Sequence, residues 1–175
     1  MLAAYHRGMT ESVPDEARQA LRQVMQSHAG GDVDLDAARR VVDQWPEYAQ
    51  ARSYLGQTLV TRKRKFADGL EELDRAVALG SDDAYILYTA GWCREFVANA
   101  MATGKGKGHQ AVEGTPEEMY VSANELFLKA LDALEADPDD QLLGDIQDML
   151  TVISKVTGVP WDGGEEIKHA PPRPR

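Results

Sequence analysis

Residues 55–91, LGQTLVTRKRKFADGLEELDRAVALGSDDAYILYTAG, decide the fold. Gly56 and Gly91 stand 35 residues apart, each behind an apolar residue, Leu55 and Ala90. Between them, Phe66, Leu70, Leu73, Ala76, Val77 and Leu79 recur at three- and four-residue steps, the signature of one buried helical face. A basic turn, Arg62-Lys63-Arg64-Lys65, precedes that face and a Gly80-Ser81-Asp82 break follows it. Helix, turn, helix, turn at a fixed period is the mark of a repeat architecture. A single unit of that kind cannot bury its apolar face alone and must stack on neighbours.

The pattern extends in both directions. Upstream, Pro14, Asp15 and Glu16 suit a helix start, where proline is tolerated and carboxylates face the positive dipole end. Ala17, Leu21, Val24, Met25 and His28 share one face until Gly30-Gly31. Asp34 or Asp36 is expected to cap a second helix bearing Leu35, Ala38, Val41, Val42 and Trp45, ended by Pro46. A third helix is predicted over 47–61 and a fifth over 83–101, the latter capped by Ser81 or Asp82. Glycines across 103–110 predict a loop. Thr115-Pro116-Glu117-Glu118 predicts a capping box opening a sixth helix, and Asp139-Asp140 supply helix-start charge for a seventh. No stretch alternates for long as a strand does. The expectation is an all-α chain, a short α-solenoid of about three antiparallel helical hairpins plus a C-terminal capping helix. Residues 1–12 are read as a flexible N-terminus, 13–157 as the helical repeat domain and 158–175 as a disordered proline-rich tail.

The formal charge of −10 opposes non-specific attachment to a nucleic-acid backbone, which needs clustered Lys and Arg. One cysteine, Cys93, allows no internal disulfide, and a reducing, cytoplasmic setting is expected. No apolar run approaches the roughly 20 residues that span a bilayer, so no membrane partner is expected.

Leu55, Gly56 and Leu59, followed by Gly69, Leu73 and Ala76, resemble the two helices of a tetratricopeptide repeat (TPR). Pro46 stands ten residues before Gly56, as the closing proline of one repeat stands before the next repeat's glycine. Tyr120, Ala123, Phe127, Ala130 and Leu131 resemble the family's second helix most closely. The resemblance covers about 14–138. It departs at an extra residue in the 62–65 turn, at Ser81 in place of a closing proline, at Arg22 in place of a small residue, and at a third turn longer by about ten residues. Another α-solenoid or an irregular bundle is the alternative fold. What the resemblance implies is a non-enzymatic adaptor or chaperone-like scaffold holding a protein or peptide in a concave groove. Carried over, the groove positions are Glu16, Gln19 and Gln23, then Gln50, Ser53, Gln57 and Thr61, then Tyr85, Tyr88, Trp92 and Glu95. The Lys and Asn pattern by which some members clamp a C-terminal carboxylate is absent.

The residues support a second reading beside the groove. Turns within hairpins share one edge of such a stack, which would set Arg62, Lys63, Arg64 and Lys65 near Lys105, Lys107 and His109. That basic rim would take an anionic ligand, nucleic acid included; alternatively, its cations complement helix dipoles and solvate the turns. Likewise the Tyr85, Tyr88, Trp92 stripe either anchors apolar side chains of a partner or packs against the long loop and the closing helix. The Gly-Lys-Gly-Lys-Gly run lacks the Lys-Ser/Thr pair of a phosphate loop. His6, His28, His109 and His169 have neither metal nor triad spacing, and Cys93 is read as a small core residue. No catalytic residue, metal or cofactor is expected. A homodimer through the uncapped first hairpin is left open.

Overall fold

The computed structural model describes residues 13–104 and 110–161. The stretch read as a flexible N-terminus, the loop residues Lys105, Lys107 and His109, and the proline-rich tail from 162 onward lie outside the described residues. Those described form seven α-helices and no strand: α1 Asp15–Ala29, α2 Leu35–Gln44, α3 Ala49–Thr61, α4 Phe66–Leu79, α5 Ala84–Thr103, α6 Pro116–Leu134 and α7 Asp140–Thr157.

Local chemistry sets most of the starts. Asp34, not Asp36, caps α2, its Oδ1 accepting the Asp36 and Ala37 N–H groups at 2.9 and 3.2 Å. The α5 cap is Asp83, accepting from Tyr85 and Ile86 at 3.0 and 3.1 Å, rather than Ser81 or Asp82. The turn explains the shift: the Asp83 N–H is held by the Gly80 carbonyl at 3.1 Å, so the chain enters the helix only after that residue. Thr115 and Glu118 form the expected capping box. α4 has no local side-chain cap. Instead Gln110, 42 residues away, accepts the Asp68 N–H through its Oε1 at 2.9 Å, satisfying a donor that the first turn leaves free.

Each helix packs on its near neighbours in sequence: α2 on α1 and α3, α5 on α3, α4, α6 and α7. The closest pairings are α3 with α4 and α5 with α6. Apolar side chains of α1, α2 and one side of α3, among them Leu21, Val41, Leu55 and Leu59, form one core cluster. A larger one runs from Val60 through α4, α5, α6 and α7. α3 therefore joins the two, with Leu59 in the first cluster and Val60 in the second.

The α3/α4 crossing is a meeting of backbones. A Cβ on Gly56 would lie 2.8 Å from the Gly69 carbonyl oxygen and 2.7 Å from Leu73 Cγ; one on Gly69 would lie 2.8 Å from the Gly56 carbonyl oxygen. At the α5/α6 crossing the corresponding Gly91 faces the Phe127 ring, 2.9 Å from a Cβ placed there. The third hairpin is extended in its helix as well as its turn, α5 having 20 residues against 13 in α3. The added turns bury Val97 and Ala98 beside Tyr120.

Candidate partner-binding cleft

On α1, residues 18, 21, 22 and 25 share a face, and on α3 residues 50, 53, 54 and 57 do the same. Both sets follow the i, i+3, i+4, i+7 spacing of a helical stripe. In the structure these two stripes, with Tyr48 and Tyr85, line a cleft of about 350 Å³. Leu21 and Ser53 are buried in it. Met25 and Tyr85 are 45% and 60% exposed, so large apolar side chains stand in its open walls.

A buried polar pair braces one wall. His28 is 3% exposed, with Nδ1 2.8 Å from the Tyr54 hydroxyl and Nε2 2.9 Å from the Asp34 carbonyl oxygen. A carbonyl only accepts, so Nε2 donates; in the neutral ring Nδ1 then accepts from Tyr54, and both nitrogens are satisfied. The two rings stack at 5.7 Å. Burial raises the Tyr54 hydroxyl pKa, with the Thr58 hydrogen bond and the Arg62 charge opposing. Gln50 reaches the α5 cap, donating to Asp83 Oδ2 at 3.2 Å, and thereby ties α3 to the start of α5.

Four of the eleven expected groove residues, Gln50, Ser53, Gln57 and Tyr85, are thus brought together, and seven are not. Thr61 turns inward along α3, donating to the Gln57 carbonyl at 2.8 Å. Tyr88 and Trp92 are half-buried: Tyr88 lies 5.8 Å from the Phe127 ring and Trp92 6.0 Å from Phe96. Burial raises the Tyr88 hydroxyl pKa, and the Asp145 and Asp148 carboxylates of α7 add to the rise. The aromatic stripe therefore divides, with Tyr85 in the cleft, Tyr88 against Phe127 of α6 and Trp92 against Phe96 of its own helix. Glu95 is half-buried and its carboxyl pKa is raised by that desolvation. On α1 the cleft face is Arg18, Leu21, Arg22 and Met25; Glu16, Gln19 and Gln23 are exposed and do not line it. The first hairpin carries no glycine crossing to set that register from sequence. Arg18, Arg22, Met25, Tyr48 and Tyr54 went unrecognised as cleft residues, although the four-residue spacing of Leu21 and Met25 carries the signal.

Of the basic rim, Arg62 is exposed, while Lys63, Arg64 and Lys65 are half-buried. Arg64 has a left-handed backbone, φ 52°. Its guanidinium lies over the Phe66 and Phe96 rings, 5.2 and 5.5 Å from their centroids, a cation–π arrangement. Lys105 and Lys107 lie outside the described residues; Gln110, beyond them, bonds the Asp68 N–H in the first turn of α4.

A larger cleft, about 850 Å³, lies by the α4/α5 and α6/α7 turns, where Asp82, Asp83, Asp132, Asp137 and Asp139 face a single Lys129. No group of three or more His, Cys, Asp or Glu among the described residues is placed to hold a metal ion. Burial pushes the Cys93 thiol up to about 12, which fits a packed core residue. No helix among the described residues is long and apolar enough to cross a membrane. Compared with known protein-family models the chain matches none, and no curated protein matches it significantly.

Proposed function

We propose that this chain is a non-enzymatic protein-interaction module, a short superhelix of TPR-like hairpins that serves as a cytoplasmic adaptor or chaperone-like holder. It would grip a peptide or a segment of a partner protein in the cleft made by α1, α3 and α5. The observation that carries this reading is the cleft itself: three non-consecutive helices contribute to one concavity with Met25 and Tyr85 exposed in its walls. Exposed apolar side chains in a concave, partly polar setting are what a protein-binding surface presents. Strong packing between helices near in sequence and the Gly56–Gly69 crossing support the stacked-hairpin arrangement, since small residues let antiparallel helices approach and repeat units pack on adjacent units.

A photo-crosslinking side chain introduced at Tyr85 in the source cell tests the proposal, with the exposed Glu71 on α4 as the control position. Specific adducts at position 85 that are absent at 71, and that disappear with Met25→Glu, are the expected result. Adducts formed equally at both positions would remove the cleft as the binding surface. Light scattering of the purified chain separates a foreign partner from a second copy.

A further inference from the structure

The cleft has a chemical preference of its own. We infer that it selects an acidic protein segment carrying one bulky apolar side chain, the apolar group seated between Met25, Tyr48 and Tyr54 and the carboxylates paired with Arg18 and Arg22. This rests on the interaction-module reading and names its partner chemistry.

The charge distribution is the first argument. The chain has 29 acidic residues against 19 Lys and Arg, yet among the described residues the only charged side chains lining this cleft are two arginines. The larger cleft by the α6/α7 turn shows the opposite balance, five Asp to one Lys. A positive lining in an acidic protein attracts acidic segments and repels basic ones.

The second argument is the state of those arginines. Arg22 makes no ion pair among the described residues. Arg18 bonds Asp15 at 2.7 Å, but the Asp15 side chain is 95% exposed, so that pair sits in water and exchanges readily for an incoming carboxylate. Both guanidinium charges act on the Tyr48 hydroxyl, lowering its pKa against the stronger effect of burial, so they border the apolar floor and not a remote edge.

The third is size. About 350 Å³ is near the lower end of the roughly 300–1,000 Å³ of ligand clefts, room for one large side chain and its flanks. A free phosphate would satisfy the arginines but leave Met25 and Tyr85 exposed to water. An acidic peptide with an aromatic residue uses both features.

Three fluorescein-labelled peptides, titrated into the full chain by polarisation, test the inference. One flanks Phe with Glu and Asp, the second with Gln and Asn, and the third keeps the acids but replaces Phe by Ala. The acidic Phe peptide is expected to bind roughly tenfold more tightly than its amide counterpart at low salt, with most of that margin lost at high salt. Arg22→Glu, an exposed substitution, should erase the margin, whereas Met25→Ala should weaken both Phe peptides alike. Equal binding of acid and amide peptides, or a margin untouched by Arg22→Glu, overturns the charge preference. If binding in that case still depends on Met25, the interaction cleft stands without it. Failure of all peptides together with loss of position-specific crosslinks at 85 would sink both, and crosslinks that persist would sink only the preference. Amide spectra of each variant verify its fold.

Discussion

In the α3/α4 hairpin two glycines meet backbone to backbone; in the α5/α6 hairpin the Phe127 ring lies over Gly91. The two share a register. Gly56, Gly69, Leu73 and Ala76 in the first correspond to Gly91, Ala123, Phe127 and Ala130 in the second, with the same offsets along each helix. What differs is what gives way. A Cβ at Gly56 meets a carbonyl oxygen and an amide nitrogen, which cannot move without bending a helix; one at Gly91 meets a ring edge. The same comparison explains Glu95. It stands 35 residues after the fully buried Val60, at the matching position, and its partial burial is what raises its carboxyl pKa. The same spacing of small and bulky residues therefore yields a rigid crossing and a compliant one.

The largest effect should come from emptying the compliant side. Phe127 is fully buried, and Phe127→Ala should lower unfolding stability by about 3–5 kcal/mol in urea titration, more than Leu73→Ala at the matching position. A smaller loss from Phe127→Ala than from Leu73→Ala would mean the ring does not occupy the equivalent core site.

Filling the two glycines comes next. Gly56→Ala should cost about 2–3 kcal/mol and Gly91→Ala about 1 kcal/mol, because overpacking is expensive only where the neighbour cannot relax. Combining Gly91→Ala with Phe127→Leu should cost less than the sum of the two changes. Equal costs at the two glycines would break the contrast between rigid and yielding neighbours.

The Gln110 contact sharpens the comparison at the hairpin tips. Gln110→Ala should cost about 0.5–1 kcal/mol, in the range of a lost helix cap, and speed hydrogen exchange at the Asp68 amide. Unchanged exchange there would detach the long loop of the third hairpin from the second.

The smallest effect depends on pH. Folding raises the Glu95 carboxyl above its ordinary value of 4.5, so the fold disfavours the charged form. The penalty is absent below pH 4.5, where the group is protonated in both states, and develops as pH rises through the raised value. Glu95→Gln should therefore melt higher than the parent at neutral pH, with the gap closing in acid. A gap that grows in acid would place Glu95 in a stabilising pair instead.

Much of the helical plan was readable in advance because it depends on short-range chemistry. The Thr115–Glu118 capping box and the breaks at Gly30 and Pro46 act within a turn or two of the residues that cause them. The α5 cap was misjudged because Asp83 follows two residues equally able to cap, and only the hydrogen bond to Gly80 discriminates among them. The α3 part of the cleft was legible for the same reason: its face, Gln50, Ser53 and Gln57, follows from the glycine register. The α1 face was not, since Arg22 sits where that register wants a small residue. The separation of Tyr88 from Tyr85 depends on how α6 and α7 return against α5, through Phe127, Asp145 and Asp148, about forty to sixty positions away.

The amino-acid order by itself determined that this chain is helical, where its helices break, and which small residues mark the crossings, because periodicity, caps and glycines act locally. Tertiary structure alone decided that Gly56 meets Gly69 through bare backbone, that Gln110 caps a helix 42 residues upstream, and that two arginines border the apolar cleft. Those outcomes depend on how rods of unequal length stack, and packing of that kind is settled by the shapes of surfaces that meet only when the chain is folded.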